Sequence, residues 1–122
     1  MTVATFLFIL VSVSLNALAQ VVLRKAMTVA PLPPLAETVA LGWALASNAW
    51  LWAGMTCYAL SIGLWLVVLG RAEVSVAYPM LSIGYVIAAG LGVAFLGEQV
   101  GWMRASGIAM ICAGVIIVGQ TA

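Results

Sequence analysis

The sequence predicts an all-α integral membrane protein: four transmembrane helices plus a short interfacial helix. Three observations predict it. Of the 122 residues, 66% are hydrophobic and 6% charged, whereas soluble domains carry roughly 25% charged residues; charge this sparse cannot clothe a water-facing surface. Four uncharged stretches, 1–23, 38–70, 74–97 and 105–122, follow one another, and a bilayer core about 30 Å thick takes roughly 20 apolar residues per helix at ~1.5 Å rise. All seven charges (Arg24, Lys25, Glu37, Arg71, Glu73, Glu98 and Arg104) fall in the breaks between those stretches. A cytosolic enzyme, a disordered regulator and a secreted disulfide scaffold are excluded. A net charge of +1 leaves no basic face for nucleic acid.

The elements follow in order. The first span is expected over about residues 3–24. Ala17-Leu18-Ala19-Gln20 imitates a signal-peptidase site, but no Lys or Arg precedes the apolar stretch, Asn16 and Gln20 interrupt it, and Arg24-Lys25 follow it, so the span is expected to be retained. Pro31, Pro33 and Pro34 then forbid a continuous helix. Residues 35–46 read as the short helix, at the interface or packed against the bundle. The 38–70 stretch exceeds one upright span and divides near Ser47-Asn48, and Trp50 and Trp52 suit the headgroup zone at the start of a second span over 49–70. Arg71-Ala72-Glu73 is a tight polar turn into a third span over 74–96, and Gly97-Glu98-Gln99 with Gly101 leads to a fourth over 101–120. No linker separates domains, so residues 1–122 form a single four-helix transmembrane domain. Arg24, Lys25 and Arg104 outnumber Arg71 across the membrane, which weakly places the first and third loops in the cytoplasm; a bias this small also permits insertion both ways round. Cys57 and Cys112 read as mid-span fillers, and no metal site or cofactor is implied.

Polar side chains inside the spans need an internal partner or a wet cavity. Ser12, Asn16 and Gln20 recur every four residues and share one face of the first span, with Arg24 continuing the stripe to the membrane edge. The stripe is either helix–helix glue or one wall of a hydrophilic groove ending in a cation; the aligned Arg24 favours the groove. In the third span Tyr78, Ser82 and Tyr85 lie on one face by helical spacing. Pro79 is expected to break the helix by freeing the carbonyl of Ser75; the competing reading places Pro79 in the first turn and the tyrosines at the interface. Gly84, Gly90 and Gly92 in the third span, and Gly107, Ala109, Ala113 and Gly114 in the fourth, are small residues that let helices approach closely. Four short spans enclose little space, so the fourth is expected to form a dimer interface. Glu37 and Glu98 read equally as solvated acids or as partners for a substrate amine.

Val76-Ala77-Tyr78-Pro79-Met80-Leu81-Ser82, Leu96-Gly97-Glu98 and Gly107-Ile108-Ala109-Met110-Ile111-Cys112-Ala113-Gly114-Val115 resemble the drug/metabolite transporter superfamily. The four-span size is that of its small multidrug resistance branch. Ala77–Ser82, together with Ala19-Gln20 and Arg24-Lys25-Ala26, is most similar to the EamA-like small subunits of the 4-amino-4-deoxyarabinose-phosphoundecaprenol flippase. The resemblance covers the chain outside residues 27–48. Multidrug members depend on a glutamate midway along the first helix, matched here by Asn16, and carry a tryptophan in the third span, matched here by Leu81; Tyr78 is retained. Because Asn16 cannot titrate, proton-coupled export of small cationic compounds is the alternative and not the main expectation.

The resemblance therefore implies a flippase, not an enzyme, moving a polyprenyl-phosphate-linked aminosugar across the bacterial inner membrane for envelope or lipid A modification. It implies a homodimer, antiparallel in one arrangement, or a heterodimer with a related small subunit. Substrate contacts are expected from Asn16, Gln20, Tyr78, Ser82 and Tyr85 to sugar hydroxyls, from Arg24 with Lys25 to the phosphate, and from Glu37 or Glu98 to the amine. The competing role for Arg24 and Lys25 is to set topology.

Overall fold

Hydrocarbon offers no partner to a bare N–H or C=O, so apolar runs of this length resolve into helices that satisfy their own backbone. The computed structural model describes residues 2–121, and the two terminal residues of the expected 1–122 domain lie outside them. Among the described residues the chain forms α1 (Val3–Val29), α2 (Thr38–Ala46), α3 (Ala49–Leu69), α4 (Val74–Met80), α5 (Ser82–Leu96) and α6 (Trp102–Gln120). Helices α4 and α5 together make one span, so four segments are long and apolar enough to cross a membrane. The protein is a multi-pass membrane protein.

Helix α1 begins where the Thr2 hydroxyl caps the amide of Thr5 at 3.2 Å. It runs five residues beyond the predicted limit near 24, to Val29. Arg24 and Lys25 do not end it; the extended conformation imposed by Pro31 does. Helix α2 starts at Thr38 rather than at residue 35, after the proline-rich turn. The side-chain oxygen of Asn48 accepts from the Leu51 amide at 3.2 Å and caps α3. Its amide nitrogen donates to the carbonyl of Ala26 at 3.0 Å, tying the start of α3 to the end of α1.

Pro79 lies inside α4, and the helical run is interrupted one residue past Met80. Leu81 keeps αR dihedrals (φ −57°, ψ −24°). Its amide donates to Tyr78 and its carbonyl accepts from Gly84, so three-residue closures replace the ordinary ladder. The break is a local tightening, and the span continues through it. Gly97 ends α5 at φ +67°, a left-handed position that glycine takes without a Cβ clash.

Helix α1 is the centre of the bundle, packing chiefly against α3 and then α5, while α6 rests on α4 and α5. Ile9 and Val13 of α1, Val68 of α3, and Ala77 and Met80 of α4 form the core. Glycines set two of these contacts. A Cβ at Gly54 would lie 2.8 Å from Leu23, and one at Gly84 would lie 3.2 Å from the carbonyl oxygen of Val13. Close packing through Gly84 thus agrees with the sequence reading. Gly90 faces open space instead, and Gly92 faces the Glu98 carboxylate rather than a neighbouring helix. No residue of α6 is buried, and nothing stands within 4 Å of the Cβ positions of Gly107 or Gly114. Among the described residues nothing packs on Gly107 or Gly114 of the fourth span's small-residue row.

Candidate functional site

The stripe on α1 divides in two. Ser12, 2% exposed, donates to the carbonyl of Ser61 on α3 at 2.9 Å, so the lower end is sealed helix–helix glue. One turn on, Asn16 and Gln20 instead line a cavity of about 210 Å³ between α1, α3 and α5. Tyr58 of α3 and Tyr85 of α5 complete its polar lining, and Val13, Ala17, Leu81, Gly84 and Ala88 form the rest. The local sequence explains the space. Gly84 lets the α5 backbone seat directly on Val13, and Ala17, Gly84 and Ala88 carry too little side chain to fill the room above that contact.

The cleft therefore offers two primary amides, each able to donate and accept, and two phenols. None of its lining residues is a carboxylate or a cation. Such a set bonds hydroxyl groups from several directions without imposing a charge of its own, and hydroxyl-rich sugars meet that description.

The other predicted residues stand around the cleft. Arg24 is exposed one helical turn beyond Gln20 on α1, and Lys25 beside it is partly buried. Glu37 is exposed just before α2. Glu98 is exposed, with a carboxylate oxygen against the α5 backbone at Gly92. All four lie toward the same end of the bundle, since α1 and α5 run in one direction and α3 in the other. Tyr78 is 62% exposed outside the cleft lining. Ser82 lines a second and apolar cavity of about 360 Å³ among Phe6, Met80, α5 and α6. The expected shared face of Tyr78, Ser82 and Tyr85 is divided in this way: the tightened turn at Leu81 falls between Tyr78 and the other two, and Ser82 stands roughly 60° around α5 from Tyr85. Gly107, Ala109 and Gly114 are exposed on α6, as is Ala113.

Tyr58 is the cleft residue that sequence reasoning missed. Its signal was a phenol midway along an apolar span, far from the ends where interfacial tyrosines gather.

Known proteins resemble this chain along most of its length. No family model matches it, and no solved structure matches it. A protein of Shewanella sediminis, named a probable 4-amino-4-deoxy-L-arabinose-phosphoundecaprenol flippase subunit ArnF, is 42% identical over 69 residues, 54% of this chain and 47% of the relative. The corresponding ArnE protein of Pseudomonas savastanoi is 37% identical over 75 residues, 62% of this chain and 66% of the relative. These two alignments thus span from about half to just under two thirds of the relatives' length. An ArnF protein of Enterobacter sp. aligns at 34% identity over 119 residues, 93% of this chain and 92% of its own length. The chain belongs to the ArnE/ArnF family. Membership in the ArnE/ArnF family agrees with the resemblance carried by Ala77–Ser82 and with the four spans.

Proposed function

We propose that this chain is one subunit of a flippase carrying an undecaprenyl-phosphate-linked aminosugar across the bacterial inner membrane. The sugar is 4-amino-4-deoxy-L-arabinose, the one in the names of its relatives. The observation that carries the reading is the cleft that brings together two amides, Asn16 and Gln20, and two phenols, Tyr58 and Tyr85, with no charged residue in its lining, in a chain of this family.

A sugar phosphate cannot cross hydrocarbon unaided, because dehydrating an ion costs several kcal/mol even after relaxation (about 20 in the idealised limit). In the proposed mechanism the amides of Asn16 and Gln20 and the two phenols replace water around the sugar hydroxyls, while the polyprenyl tail stays in lipid. Arg24, one turn beyond Gln20, receives the phosphate with a forked pair of N–H donors, and Lys25 adds charge. Glu37 and Glu98, at the same end of the bundle, pair with the sugar amine as the head enters or leaves.

A cleft of about 210 Å³ falls below the roughly 300–1,000 Å³ of small-molecule sites, so it takes only part of the substrate head and the chain works with a partner. That partner is a related small subunit or a second copy of this chain. It docks on the bare face of α6 carrying Gly107, Ala109, Ala113 and Gly114, where close helix approach meets no side chain.

The test is flipping of a labelled polyprenyl-phosphate aminosugar in proteoliposomes, with the chain alone and with a related subunit. Asn16→Leu combined with Gln20→Leu is expected to abolish flipping. Arg24→Ala is expected to reduce it more than tenfold, and Arg24→Lys to retain part of it. Undiminished flipping by the double leucine variant, correctly inserted, would refute the reading.

A further inference from the structure

Helix α2 has no water-facing side. After Thr38 its residues are Val39, Ala40, Leu41, Gly42, Trp43, Ala44, Leu45 and Ala46, all apolar. Leu41, Ala44 and Leu45 are partly covered and turn toward the bundle. The opposite arc holds Val39 (87% exposed), Ala40, Gly42, Trp43 (75% exposed) and Ala46. A helix lying on a membrane surface presents a charged or polar face to water, and a helix apolar all round belongs in an apolar medium.

The carbonyl end of α2 is closed in the way a helix end in hydrocarbon requires. The last four carbonyls of a helix have no intrahelical partner and are met by side chains, by tightened turns or by water, the last of which hydrocarbon does not supply. Here the carbonyl of Trp43 accepts from the Ser47 amide at 2.9 Å and the Ser47 hydroxyl at 2.8 Å. The same hydroxyl reaches the carbonyl of Ala44 at a longer 3.4 Å. The Asn48 amide reaches that of Leu45, also at 3.4 Å, and the indole N–H of Trp52 donates to that of Ala46 at 3.0 Å. The carbonyls of Trp43, Leu45 and Ala46 each have a protein donor of their own, and that of Ala44 shares the single Ser47 hydroxyl proton. Nine residues extend about 13 Å at ~1.5 Å rise, too short to cross a core of about 30 Å. Helix α3, with 21 residues, spans the core by itself and fixes the α2–α3 junction at its edge. Trp43, Trp50, Trp52 and Trp102, four of the five tryptophans, gather at that edge, where indoles anchor in the headgroup zone.

We infer that α2 is submerged in the acyl region of a single leaflet, with lipid hydrocarbon covering its exposed arc and its carbonyl end closed by Ser47, Asn48 and Trp52. Through the Asn48 bond to Ala26, two residues past Arg24, the submerged helix fixes the height of that arginine relative to the leaflet. The inference concerns the membrane seat of the chain and stands apart from the transport reading.

The test places spin labels singly at Val39→Cys, Gly42→Cys, Trp43→Cys and Ala46→Cys in a Cys57→Ala/Cys112→Ala background, with the full chain in lipid nanodiscs. Power saturation compares oxygen, which concentrates in hydrocarbon, with a water-soluble nickel chelate; a label at Glu37→Cys is the aqueous control. All four sites are expected to favour oxygen at least threefold, and the control to favour nickel. Adding Ser47→Ala with Trp52→Phe is expected to raise nickel access at residue 46 severalfold. Nickel access at residues 42 or 43 would overturn the inference by showing a wet surface helix. Protection from both reagents at all four sites would overturn it in favour of a protein partner, and no response to the added pair would overturn the carbonyl closure.

Discussion

Asn48 makes two bonds that can be separated by substitution. Its side-chain oxygen caps α3 through the Leu51 amide, and its nitrogen crosses to the carbonyl of Ala26 on α1. Replacing an N-cap asparagine by alanine costs about 1 kcal/mol, and interhelical hydrogen bonds in membrane proteins average about 0.6 kcal/mol. Because the side chain is 8% exposed, the crossing bond is not replaced by water. Asn48→Ala is therefore expected to lose about 1.5 kcal/mol, the cap and the crossing bond together, while the Ala26 carbonyl keeps the Ala30 amide as a donor at 3.2 Å. Asn48→Ser keeps a capping oxygen but is too short to reach Ala26, so it is expected to lose only about 0.6–1 kcal/mol. Unfolding in mixed micelles, titrated with a denaturing detergent, measures both. Equal losses for Ser and Ala, or a loss below about 0.3 kcal/mol for Ala, would refute the division of labour assigned to this residue.

Three further outcomes follow from the packing. Gly84→Val places a Cβ 3.2 Å from the carbonyl oxygen of Val13 and is expected to destabilise by about 1–3 kcal/mol through overpacking, measured in the same unfolding titration. Gly97→Ala forces a Cβ into the left-handed region at φ +67°, costing about 1–2 kcal/mol and loosening the end of α5, which hydrogen exchange at residues 92–98 reports. Ser12→Ala removes the bond to Ser61 and is expected to cost about 0.6 kcal/mol while leaving lipid flipping unchanged, since Ser12 lies outside the cleft.

Most of the fold was legible because lipid reduces the choices. Apolar run lengths mark the spans, and the prolines at 31, 33 and 34 and the charged turn at 71–73 mark their ends. The end of α1 was misplaced because a charge pair resembles a membrane boundary, while a helix stops only where its backbone must, here before Pro31. The polar stripe on α1 was visible by its spacing of four, but spacing cannot say which members meet a neighbouring helix. Ser12 is buried because Ser61 offers a carbonyl there, and Asn16 is open because Gly84, Ala17 and Ala88 leave room. Ser82 illustrates the same limit: three positions before Tyr85 it stands roughly 60° around the helix, and spacing alone does not say that the boundary between the cleft and the apolar cavity falls between them. Tyr58 was overlooked because its partners come from α1 and α5, far away in the chain.

In the proposed mechanism Asn16 faces a hydrated cleft that a sugar head occupies. A single thiol at that position, Asn16→Cys with Cys57 and Cys112 replaced by alanine, tests this most directly in proteoliposomes treated with a small polar thiol reagent. The thiol is expected to react readily, to be shielded by the polyprenyl-phosphate aminosugar, and not to be shielded by polyprenyl phosphate without the sugar. A thiol at residue 16 as inert as one introduced at Ser12, or shielded equally by both lipids, would rule out a sugar-binding cleft at Asn16.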